Sequence, residues 1–243
     1  MNAFQALVRA KATPLPEEAG EDVLHYCSAL GFIRAVSFLL EQGWDINLKD
    51  SKGRTALHRC LNHGHEDLAT ILINEEASLH EVDNTGATPL HYAVRWGGSD
   101  AILRLLVKKK ARLGVRDRLG RTPLHYAASK FSIMSDLYIL LGGGSALDSQ
   151  DQMGLTPLHL AARLGNESLV RILLEKGAKH DIRDIDNFLP RDHAIEKGNK
   201  SIVKRLDTHH FSLHPEEAEK AKAQEQLEEV SARLSQHRKS VTW

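Results

Sequence analysis

The chain carries only two cysteines in 243 residues, no long apolar run, and no excess of charge of either sign. Two thiols in that length exclude a disulfide-stapled secreted scaffold and point to a reduced intracellular compartment, the cytoplasm first, with nuclear or cytoskeletal placement as variants. The longest apolar stretches, such as Ala101–Val107 with Arg104 inside it, fall far short of the roughly 20 residues that cross a bilayer. The opening MNAFQALVRAKATP lacks the apolar centre and small-residue cleavage site of a secretory leader and reads as a short capping helix. Lys plus Arg and Asp plus Glu both total 32, so no global field draws the chain to nucleic acid or to a membrane. Glycine-rich phosphate loops, GxSxG elbows and HExxH pairs are missing as well. Leu140–Ala146, LLGGGSA, is rich in glycine but ends a helix, which would leave a phosphate at the wrong end of the dipole.

What is present is a period. Apolar residues make up 42% and charged residues 26%, the balance of a soluble globular protein. Within that composition TALH (Thr55–His58) is followed by TPLH at Thr88–His91, Thr122–His125 and Thr156–His159, at steps of 33, 34 and 34 residues. DVLH (Asp22–His25) precedes the first by 33, and LPRD (Leu189–Asp192) follows the last as a degraded copy. A small residue stands two places after each histidine (Cys27, Cys60, Ala93, Ala127, Ala161), and a second amphipathic stretch comes after it.

The local chemistry of the unit is helix–turn–helix. Thr before Pro is an N-cap with proline at the first helical position, where its missing N–H costs nothing. Gly31, Gly64, Gly97 and Gly165 fall between the two apolar stretches, as a tight turn needs. Gly43, Gly144 and Gly177 sit where the second helix ends, and Lys110 occupies the same slot. The clusters KDSKG, VDNTG, RDRLG and QDQMG have the composition of hairpin tips.

A unit of this length and wording resembles the ankyrin repeat. The resemblance covers residues 22–207, in units 22–52, 53–85, 86–119, 120–153, 154–186 and 187–207, with residues 1–21 as a short helix and linker and 208–243 as a linker and charged helix. It implies an all-α solenoid of helix–turn–helix units with projecting β-hairpin loops, plus a C-terminal helix. The function it implies is a non-enzymatic module or scaffold that binds a protein through hairpin tips and concave groove. The alternatives are a structural component of a large cytoskeletal or other assembly, and a substrate adaptor or microbial effector. By the family's usage the contact positions are those before the cap threonine (Arg54, Ala87, Arg121, Leu155) and after the histidine (Arg59, Tyr92, Tyr126, Leu160).

The same residue type at the same place in five units is expected to serve stacking, since a catalytic histidine stands in a unique constellation. No catalytic group, cofactor or metal is expected. Cys27 and Cys60 lie one period apart, roughly 10 Å in a helical stack and beyond disulfide reach. Cys60, His63 and His65, and the cluster His209, His210 and His214, are imaginable zinc ligands without finger spacing.

Departures from the repeat carry the functional expectation. RWGGSD places Arg95 and Trp96 just before a turn, residue types favoured as interface anchors. SKFSIMSD replaces a glycine turn and puts Ile133 and Met134 near it, as a rebuilt buried turn or an adaptable contact. From Cys60 to Val94 there are six acids and no Lys or Arg; from Arg95 to Arg121 there are nine bases against Asp100 and Asp117. That segregation is either mutual neutralisation between neighbours or a basic patch, including Arg116, Arg118 and Arg121, for an acidic partner segment. The tail His214–Lys239 reads as a helix with a narrow seam of Leu227, Val230 and Leu234, suited to packing on the array or to a helix–helix contact with a partner.

Overall fold

The first helix of most units begins at a threonine whose backbone is still extended. Thr55, Thr88, Thr122 and Thr156 have φ near −90° and ψ of 165–172°, and the chain turns helical at the next residue. The computed structural model describes residues 23–129, 134–144, 146–222, 224 and 226. They form helix pairs: α1 (Val23–Ala29) with α2 (Ile33–Glu41), α3 (Ala56–Asn62) with α4 (Glu66–Asn74), and α5 (Pro89–Trp96) with α6 (Asp100–Lys108). Then come α7 (Pro123–Ala128) with α8 (Met134–Gly142), α9 (Pro157–Leu164) with α10 (Glu167–Glu175), and α11 (Pro190–Glu196) with α12 (Lys200–Leu213). Residues 215–222 are helical after a break at His214. The expected N-terminal helix and the apolar seam of the tail lie outside the described residues, as do Ile133 and the side chain of Met134.

First helices stack on first helices along the whole array, and α4 packs on α6, α6 on α8, and α10 on α12. The core is therefore a continuous strip, with Leu24, Leu57, Leu90, Leu124 and Leu158 fully buried at equivalent places in successive units. Second helices add Leu39, Leu72, Leu106, Leu140 and Leu173 at the same spacing. Each such leucine removes enough apolar surface from water to contribute roughly 1.5–3 kcal/mol. No single pair closes its own core, so stability accrues unit by unit.

The projecting loops form no strand among the described residues. Each is closed instead by a backbone bond from an aspartate to the residue four places on, with a second returning to the aspartate carbonyl from the residue between: Asp50 N to Arg54 O, 2.9 Å; Asp83 N to Ala87 O, 3.0 Å; Asp117 N to Arg121 O, 3.0 Å; Asp151 N to Leu155 O, 2.9 Å; Asp184 N to Phe188 O, 3.0 Å. Successive tips are joined by Asn84 N to Lys52 O, Arg118 N to Thr85 O, Gln152 N to Leu119 O and Ile185 N to Met153 O, at 2.7–3.2 Å. Tips this close leave no space for a side chain at the turn glycine: at Gly120, with φ of +76°, a Cβ would lie 2.9 Å from Gln152 N.

The left-handed slot after the second helix is real and holds two residues that are not glycine. Gly43, Gly144 and Gly177 have φ of 83–87°, while Glu76 and Lys110 have φ of 61° and 65°. A β-carbon costs roughly 1 kcal/mol in this region, and Lys110 is exposed with nothing evident to offset it. Lys110→Gly is expected to stabilise the fold by up to about 1 kcal/mol in urea unfolding, and Gly120→Ala to destabilise it. A clear loss of stability in Lys110→Gly means that the lysine makes a contact the boundary needs.

Candidate functional site

The repeated histidine is the best-defined polar group in the molecule. In the 125 unit, Nδ1 accepts the backbone N–H of Thr122 at 3.1 Å and lies 2.9 Å from its hydroxyl. Nε2 lies 3.0 Å from the carbonyl oxygen of Leu155, in the next unit. Nδ1 accepts the amide proton, so the ring is the neutral tautomer with its proton on Nε2, donating across the unit boundary. The same arrangement holds for His58 to Ala87 O (3.2 Å), His91 to Arg121 O (3.1 Å) and His159 to Phe188 O (3.2 Å). His25 bonds to Leu48 O at 2.9 Å instead. In the degraded last unit Asp192 accepts from Leu189 N–H at 2.9 Å, keeping the cap and losing the outward bond.

Burial is complete or nearly so: His25, His58, His125 and His159 are 0% exposed and His91 1%. For four of them it makes the cationic form unfavourable, pushing His58 and His159 down to about 4 and lowering His91 and His125, against the opposing carbonyls and nearby carboxylates.

A second recurring group was not singled out in the sequence. Asp50, Asp83, Asp117, Asp151 and Asp184 are 5–9% exposed, and each Oδ1 accepts two backbone N–H groups of its own tip. The second oxygen takes a side chain: Arg54 on Asp50 (2.8 Å), Tyr92 on Asp83 (2.7 Å), Tyr126 on Asp117 (2.5 Å) and His193 on Asp184 (2.6 Å). At Asp151 the equivalent helical residue is Leu160, which has nothing to donate, and Arg121 of the preceding tip approaches at 3.5 Å instead. Burial alone would raise the Asp83 carboxyl, but the bonds from Thr85, Tyr92 and Ala87 outweigh it and hold it low. The signal was present as aspartates spaced 33 or 34 apart in the tip clusters.

These bonds change the standing of several proposed contact residues. The position after each histidine lies between successive first helices, where Tyr92 meets His58 edge-on at 5.3 Å and Tyr126 meets His91 at 5.9 Å. Arg59 is accordingly 9% exposed and Leu160 3%; Ala87 and Leu155, before the caps, are 7% and 6%. Those four are interior residues, because stacking closes the surface that a single unit would leave open. Arg54 is tied to Asp50, and Arg116 donates to Gly120 O at 3.1 Å and to Gln150 O.

Four candidates stay outward: Arg95, Trp96, Arg116 and Arg118. Trp96 is 55% exposed at the end of α5, and the Arg95 guanidinium lies 5.5 Å from its ring and 5.7 Å from that of Tyr126. Arg118 is exposed at its tip. The acidic stretch is partly spent internally: Glu66 accepts from Ser99 N and Oγ (2.8 and 2.6 Å), capping α6, and Lys49 pairs with Glu81 at 2.8 Å.

The imagined zinc ligands have other partners. Cys60 is buried with its thiol donating to Leu57 O at 3.2 Å, and His65 Nε2 lies 2.8 Å from Ala29 O. His210 joins His180 (2.9 Å) to Glu217 (2.8 Å). Both cysteines are free thiols. Among the described residues no helix is long and apolar enough to cross a membrane.

The model of ankyrin repeats (3 copies) matches residues 2–83, 24–117, 64–137 and 132–213. The chain belongs to the ankyrin repeat family. No curated relative matches it. Repeats of this family generally mediate protein–protein interaction and are typically non-enzymatic.

Two outcomes test the ankyrin histidine. His125→Ala is expected to destabilise by about 1–3 kcal/mol, since it leaves the Thr122 amide without a partner and removes the bond from the imidazole to Leu155 O in the next unit; unchanged melting would sink the assignment. In pH dependence, the folded histidines titrate below the unfolded value of 6.5, so the unfolded chain takes up protons first and stability falls as pH drops from about 6.5 towards 4. His58 and His159 each contribute up to about 1.4 kcal/mol per pH unit within that window, and His91 and His125 act in the same direction. Asp83 and Asp184, held low, add their loss only below about 4. A urea midpoint flat from pH 7 to pH 5 contradicts this.

Proposed function

We propose that this ankyrin repeat protein is a non-enzymatic binding module whose contact surface is centred on Arg95 and Trp96, with Arg118 at the adjoining tip, and whose partner is a protein with an acidic segment. The observation that carries the reading is Trp96: a large aromatic, 55% exposed, with an arginine laid against its face. The repeat has no need of it, because His63 and Leu164 occupy the equivalent position in other units. Tryptophan and arginine are the residues from which truncation costs most at interfaces. The neighbouring bases, from Arg95 through Arg121, favour encounter with an acidic surface. Arg54, Tyr92, Arg116, Arg121 and Tyr126 take part as supports that hold the tips and the groove wall in place, and Arg59 and Leu160 are excluded by burial.

The test is affinity purification with crosslinking from a native cell extract, comparing wild type with Trp96→Ala combined with Arg118→Glu. Exposed positions contribute little to folding, so stability is expected to change by less than about 1 kcal/mol. Capture of the partner should fall and lose its salt dependence. Equal capture of the same proteins at low salt by both forms places the contact elsewhere.

A further inference from the structure

The tips change chemistry along the array. Two residues past the tip aspartate stand Lys52 and Thr85 in the first two tips, then Leu119 and Met153 in the next two. Leu119 and Met153 are 50% and 49% exposed, and Ile185, one residue past Asp184, is 61% exposed. These are not isolated surface residues. Gln152 N–H donates to Leu119 O and Ile185 N–H to Met153 O, which places the three on consecutive, hydrogen-bonded tips. The fold does not require them, because lysine and threonine fill the slot of Leu119 and Met153, and Ser51, Asn84, Arg118 and Gln152 that of Ile185, in the same tips. Single exposed apolar residues need no explanation, whereas a contiguous row of them marks a contact.

Arginine accompanies the row. Arg116, Arg118 and Arg183 are exposed on the same tips, while the tip carboxylates Asp117, Asp151 and Asp184 are buried and already accept two backbone N–H groups each. Arg116 and Arg183 are held by carbonyl oxygens, which direct them without neutralising their charge. The exposed acids beside them are Asp181 and Asp186, both near the last tip.

We infer that the tips from Leu119 to Ile185 hold a short segment of a partner protein in which acidic residues are interspersed with aliphatic or aromatic ones. Carboxylates meet the arginines, and the apolar side chains cover Leu119, Met153 and Ile185. This rests on the reading of the chain as a protein-binding module and specifies the chemistry of what it binds. Charge complementarity chooses the occupant. A second copy meeting this one row to row would set arginine against arginine, and a basic segment would be repelled.

The chain itself supplies substitutions suited to the test, since Leu119→Thr and Met153→Thr install what Thr85 already is, and Arg118→Asn what Asn84 already is. The full-length protein would be used to select binders from a random 16-residue peptide display library, and the enriched peptides measured by fluorescence anisotropy against each variant. Unchanged melting of the variants confirms that the fold is intact. The expected result is enrichment of peptides combining acids with apolar residues, binding at least tenfold weaker to Leu119→Thr/Met153→Thr and severalfold weaker to Arg118→Asn. Peptides that bind the tip variants as well as wild type but are lost with Trp96→Ala overturn the inference and leave the Arg95–Trp96 reading standing. Enrichment of peptides without acids, or none above a bare surface, also overturns it. So does a concentration-dependent dimer in sedimentation that Met153→Thr abolishes, which would give the row to a second copy.

Discussion

A neutral imidazole that accepts one backbone proton and donates another is the interaction on which the array depends. At a helix start the N–H groups have no partner within the helix. In His58, His91, His125 and His159 the Nδ1 atom satisfies the cap residue, and Nε2 carries the remaining proton to the next unit's carbonyl. One side chain thereby couples a local event, helix initiation, to a non-local one, the seating of the following hairpin. Asparagine or glutamine offers the same donor and acceptor, but the rigid ring spans the two targets with little entropy to lose. The requirement that the ring stay uncharged follows from that geometry, because a proton on Nδ1 would face the Thr amide proton.

The tip aspartates are the counterpart on the other side of each unit. A carboxylate oxygen accepting two amides shapes the turn, and the second oxygen anchors a side chain from a helix or from a tip. The anchor differs from unit to unit: arginine, tyrosine, tyrosine, an arginine from the tip before, histidine. This tolerance has a simple physical basis, since any donor of suitable reach can satisfy the second carboxylate oxygen. Polar residues that look like binding groups in the sequence are thus consumed by the scaffold, and the surface left for a partner is narrower than the count of arginines and tyrosines implies.

That narrowing separates two kinds of outward residue. Arg116 and Arg183 present charge while fastened to carbonyl oxygens, so they lose little freedom on meeting a carboxylate. Trp96, Leu119, Met153 and Ile185 present apolar area to solvent. Both kinds cluster from the third unit onward, where the sequence turns from acidic to basic.

Period, caps, glycine turns and the identity of the fold were legible in the amino-acid sequence alone. They depend on contacts within a unit or between equivalent places in adjacent units, and such contacts repeat with the letters. The left-handed slot at Lys110 was legible for the same reason. Which polar residues face solvent was decided only by the tertiary structure. Arg59 and Leu160 are buried, and Tyr92 and Tyr126 are bound to aspartates, because exposure depends on how closely one first helix lies against the next. No property of a single position contains that distance. The row from Leu119 to Ile185 likewise emerges only when stacking brings residues 34 and 32 places apart onto neighbouring tips.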